Sequence, residues 1–107
     1  MHDITEADWK VFKRLHAIAL DRFCARVLAK IASLSNQADK TNHERYGEIY
    51  GAIHDENKDM ASAFDGLSRS RAYLQTVLVA RWKLLTAEEL SQFSPEFQER
   101  LQRSLEF

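Results

Sequence analysis

A chain of 107 residues holds one modest core and excludes two ordinary domains, and 15 basic against 16 acidic residues exclude the one-sided charge that draws a protein to nucleic acid or anionic membrane. Three glycines and one proline among plentiful Ala, Leu, Glu, Arg and Lys, with apolar residues recurring at three and four, predict helix throughout and no strand. Cys24 stands alone, which excludes an internal disulfide and fits a reducing compartment.

In chain order, Thr5 reads as the N-cap of a first helix over about residues 6–34, with Asp8 as an acidic form of the capping box. Its stripe is Trp9, Phe12, His16, Ala19, Leu20, Phe23, Val27, Ile31 and Leu34, with Val11, Leu15 and Ile18 beside it, so the helix should touch more than one neighbour. The acids Asp3, Glu6 and Asp8 fall where a signal peptide would be basic and then apolar. The longest uncharged run, Ala72 to Ala80, is far short of the roughly 18 residues of a membrane span. A cytoplasmic protein without a membrane segment is expected.

The polar run from Ser35 to Thr41 predicts a turn, and Thr41 with Glu44 a capping box for the next helix. From there Tyr46, Ile53, Met60, Leu67 and Leu74 recur every seven residues, predicting a long helix or kinked pair over about 42–85. Gly66 is a good stop signal, but the register passes through it and Ser68 is a poor restart, so the continuous or kinked form is favoured over a hairpin. Such a helix would be about 66 Å long, beyond the roughly 35 Å diameter of a compact chain of this size, leaving Leu67, Leu74, Val77, Leu78 and Trp82 to be covered by a second copy. Thr86 with Glu89 opens a short helix over about 87–92, and Ser94 with Pro95 another over about 95–105, with Phe93 an anchor between them. The expected fold is all-α: a long-helix antiparallel bundle completed by dimerisation, with two short C-terminal helices.

The most site-like group is His43, Tyr46, Tyr50, His54 and Asn57 on one flank of the second helix, which suits either a small-molecule pocket or a half-exposed packing border. A second group, Arg69, Arg71, Arg81 and Lys83 with Tyr73 and Trp82 among them, is the only footing for nucleic-acid contact. His16 reads as a hydrogen-bonded helix residue. No Glu is followed three residues later by His, so no di-metal signature is present and no cofactor is implied. These patterns predict a non-enzymatic homodimeric interaction or regulatory module, the alternatives being a nucleic-acid-associated regulator and a small-molecule-binding bundle.

Overall fold

The computed structural model describes residues 4–106. Its described residues form five helices and no strand: α1 (Glu6–Ser35), α2 (Asn42–Phe64), α3 (Ala72–Arg81), α4 (Ala87–Leu90) and α5 (Pro95–Leu105). The local signals that start α1, α2, α4 and α5 are those of the sequence, while α3 starts after Arg71 without a side-chain cap. The Thr5 hydroxyl accepts from the Asp8 amide, Thr41 with Glu44 and Thr86 with Glu89 form complete capping boxes, and Ser94 caps α5 ahead of Pro95. The fourth helix is a single turn, ending at Leu90, short of the expected 92.

Helix α2 turns back along α1. Near the turn Arg45 donates to the Ser35 carbonyl (3.1 Å), further along Lys30 pairs with Glu56 (3.3 Å), and near the start of α1 the His16 ring bonds the Ala63 carbonyl (3.3 Å). One sequence number rises as the other falls, so the two helices run in opposite senses. Phe23 and Phe64 meet with ring centroids 5.6 Å apart.

The continuous second helix does not form. The chain leaves α2 through Asp65 in extended conformation, and Gly66 takes φ +66°, a left-handed value that glycine adopts without the steric cost of a β-carbon. A β-carbon there would also collide with the Arg71 guanidinium. The buried Gln75 side chain fixes the break from across the turn, its Nε2 donating to the Asp65 carbonyl (2.8 Å). The register that runs through Gly66 is therefore accidental. It also misplaces the surface to be covered: Val77 is buried and Leu78 and Trp82 are half-buried within the chain, leaving Leu67 and Leu74 exposed.

The core lies at one end of the molecule. Phe12, Leu15, Ala19 and Phe23 of α1 pack with Ala63 and Phe64, with Ala72, Val77 and Val79 of α3, with Leu84 and Leu85, and with Phe93, Phe97 and Leu101. Phe93 is the expected anchor, buried and stacked on Phe97 at 4.2 Å. Asp8 does something that its place in a capping box hides. Its carboxylate is buried and accepts from both the amide and the hydroxyl of Ser94 (2.7 Å each), tying the start of α1 to the start of α5.

Beyond this head the α1–α2 hairpin projects as an arm, and from residue 24 to residue 62 nothing is fully buried. The extents are 53 × 26 × 25 Å and the radius of gyration is 16.8 Å, against about 13 Å for a compact chain of this length.

Candidate functional site

The arm sorts its side chains by a simple rule. Along α1 the half-buried residues that face α2 are Val27, Ile31 and Leu34; along α2 they are Arg45, Ile49, Ala52, Glu56 and Met60. A helix turns by about 100° per residue, and the two helices run in opposite senses, so the residue following each contact position falls on the same side of the pair on both helices. That side reads Leu28, Ala32 and Ser35 on α1, and Tyr46, Tyr50, Ile53, Asn57 and Ala61 on α2. None is charged. The residues preceding the contact positions make the opposite side, with Arg26 and Lys30 on α1 and Glu48, Asp55 and Asp59 on α2.

The uncharged side is also where the chain leaves large apolar groups in water. Leu28 is 68% exposed, Tyr46 71%, Tyr50 66% and Ile53 43%. An isolated exposed leucine is ordinary; four large apolar or aromatic side chains on one uncharged flank of two helices make a patch. All five residues of the His43, Tyr46, Tyr50, His54 and Asn57 group lie on the side of α2 that carries this patch, and each is exposed. Tyr50 and His54 stack nearly parallel, centroids 6.2 Å apart. They form an open face of a helix rather than the walls of a concavity.

The basic group is dispersed. Arg69 pairs with Glu6 (2.7 Å) and lies over the Trp9 ring, Arg71 covers Gly66, and Arg81 donates to the Ser104 carbonyl (2.9 Å) at the end of α5. Lys83 is exposed at the other end of α3 from Arg69 and Arg71. The structure brings no two of these four guanidinium or ammonium groups to one acceptor.

Three arginines outside that group have more specific partners. Arg14, Ile18, Arg22, Arg26 and Lys30 form one i, i+4 row on α1, and the chain from residue 82 to 92 is stitched along it. Arg14 bonds Gln92; Arg22 forks onto the Glu89 carboxylate (2.6 and 2.9 Å) and reaches the Leu84 carbonyl (2.8 Å); Arg26 holds the Trp82 and Lys83 carbonyls. Hydrogen bonding from Arg22, then from the Thr86 amide, holds the Glu89 carboxyl down at about 2. The four-residue spacing of the row was the available signal, but nothing local identifies partners some sixty residues away.

His16 is the hydrogen-bonded helix residue expected. It sits between the rings of Phe12 and Phe64, both at 5.1 Å, and burial pushes its pKa below 6.5 although the bond to Ala63 favours the proton. Cys24 is half-buried. Among the described residues no cluster of His, Cys, Asp and Glu is placed to hold a metal ion, and no helix is long and apolar enough to cross a membrane. No family model matches the chain, and neither a curated protein nor a solved structure matches it.

Proposed function

We propose that this chain is a non-enzymatic interaction module that works as a homodimer, two copies laying the uncharged sides of their arms together. The observation that carries the reading is the position of Leu28, Tyr46, Tyr50 and Ile53, exposed on the one side of the arm that has no charge. A two-fold contact sets a surface against itself, and a face without charges meets its own copy without like-charge repulsion. The opposite side, basic on α1 and acidic on α2, suits water. From their exposed fractions the four side chains offer roughly 500 Å² per chain, so a pair would bury about 1,000 Å² before the flanking Ala32, Asn57 and Ala61 are counted, the lower edge of a specific interface. The packed arms would form a four-helix layer, giving residues 24–62 the core they lack within one chain.

Light scattering behind a sizing column tests this. The expected result is a two-chain mass for the native protein and a one-chain mass for the pair Leu28→Glu and Ile53→Glu, which set like charges against one another across the two-fold. Both variants change exposed positions, so the thermal transition of the head should persist. A one-chain mass for the native protein at hundreds of micromolar would overturn the proposal.

A further inference from the structure

On the charged side of the arm, where α3 stops, lies a cleft of about 330 Å³ lined by Phe23, Arg26, Val27, Lys30, Glu56, Asp59 and Trp82. The helix that would otherwise continue along the α1–α2 groove ends in a turn: the Leu84 amide bonds the Val79 carbonyl and the Lys83 amide the Ala80 carbonyl (3.0 Å each), with Lys83 at φ 58° in the left-handed position usually held by glycine. Arg26 holds that turn by its carbonyls. Trp82 is thus kept at the edge of the groove, its ring 5.9 Å from that of Phe23.

The lining is ordered by chemistry. Phe23 and Val27, one turn apart on α1, give an apolar floor that Trp82 extends. Arg26 and Lys30, also one turn apart, make the α1 wall basic, and Glu56 and Asp59 make the α2 wall acidic. Lys30 and Glu56 meet across the groove at 3.3 Å, so the walls are within reach of one small ligand. Asp59 has no ion-pair partner among the described residues.

We infer that this cleft binds a small zwitterion bearing a large apolar group, in its simplest form an aromatic α-amino acid. The side chain would lie on Phe23, Val27 and Trp82, the carboxylate toward Arg26 and Lys30, and the ammonium toward Glu56 and Asp59. Two basic and two acidic groups cancel, so a simple anion or cation gains from one wall what it loses to the other, whereas a ligand carrying both charges gains from each. The volume is at the small end of ligand pockets, which favours a compact molecule over an extended chain. The site lies on the opposite side of the arm from the proposed dimer face and does not depend on it.

Nuclear magnetic resonance of the full chain provides the test, following the Trp82 indole N–H, assigned by its disappearance in Trp82→Phe. With L-phenylalanine as probe, the expected result is a saturating shift with a dissociation constant of about 1 mM or tighter. N-acetyl-phenylalanine, which lacks the ammonium, and phenylalaninamide, which lacks the carboxylate, should each bind at least tenfold more weakly. Asp59→Asn, at an exposed residue without an ion-pair partner among the described residues, should do the same while leaving the circular dichroism melt in place; Lys30→Met, which also breaks the pair with Glu56, should do the same with only a small shift of the melt. A shift that does not saturate, binding of either blocked analogue as tightly as phenylalanine, or indifference to both substitutions would each overturn the assignment.

Discussion

In the head, Phe12 and Leu15 are almost inaccessible and a carboxylate on residue 8 is hydrogen-bonded to residue 94; in the arm, residues 24–62 contain no fully buried side chain and hold together through end caps, one line of half-buried contacts and a few partly exposed ion pairs. Both regions contain amphipathic helices with good N-caps, α3 of the head excepted. They differ in the number of neighbours: a head helix meets two or more others along its length, while beyond Arg26 and Val27, which still touch the turn after α3, each arm helix meets its hairpin partner on one narrow line. Helix propensity and capping suffice to draw a helix, but burial supplies most of its stability in water. The arm is therefore the part of the chain whose stabilisation is incomplete by itself.

The largest expected effect that separates the two regions comes from truncating a core ring. Phe12→Ala should cost about 3–5 kcal/mol of stability, whereas Ile31→Val, a smaller loss from a half-buried arm position outside the core cluster, should cost about 0.5–1 kcal/mol. Denaturant titration followed by circular dichroism measures both. Equal losses would mean that the arm shares the core after all.

Asp8→Ala comes next. It removes both acceptors from Ser94, leaving a half-buried amide and hydroxyl without their partner, at about 1–3 kcal/mol. Because the Ser94 hydroxyl also caps α5, amide exchange should accelerate first through residues 95–105 and leave the arm unchanged.

Acid should act on the head through His16 and Glu89. The folded chain binds a proton at His16 less readily than the unfolded chain, whose imidazole titrates near 6.5, so stability falls as pH drops through 6.5, by at most about 1.4 kcal/mol per pH unit for one proton. The Glu89 contribution is complete above 4.5 and is lost as pH falls from there toward about 2. His16→Asn should remove the first window and leave the second, as a series of melts from pH 7 to pH 3 would show.

Gly66→Ala should cost about 1–2 kcal/mol, since alanine pays the left-handed penalty and displaces Arg71. A rise in helicity with no loss of stability would instead mean that α2 and α3 can fuse into the continuous helix that their register suggests.

Much of the fold was legible because its helix starts are local. Thr41 with Glu44, Thr86 with Glu89, and Ser94 with Pro95 each lie within four residues, and each forms as read. The break at Gly66 is not legible in the seven-residue register because it rests on the left-handed glycine and on Gln75, ten residues from the carbonyl that it holds. Asp8 was read as a local cap because its true partner is 86 residues away. The flank of Tyr46, Tyr50 and His54 was visible as a row on one helix, but its character came only with Leu28 on the neighbouring helix, since a surface shared by two elements has no signature in either alone. The cleft beside Trp82 was not visible at all, for it exists because α3 is short.

The smallest expected effect is a gain, and it bears on which side of the arm is used. Gly47 and Gly51 lie one turn apart within α2, both with φ outside the left-handed region and with no neighbouring atom within 4 Å of where a β-carbon would stand. Glycine in such a place weakens a helix, so Gly47→Ala and Gly51→Ala should each add about 0.5–1 kcal/mol to the arm, seen as slower amide exchange over residues 42–64. By the turn of the helix the pair faces away from α1, well off the line of Tyr46, Tyr50 and Ile53. If two copies meet on the uncharged side, the alanines leave the dimer intact while stiffening its arms. If the two substitutions instead reduce the mass to one chain, close approach at the glycines is what holds the copies together, and the tyrosine side is free for another partner.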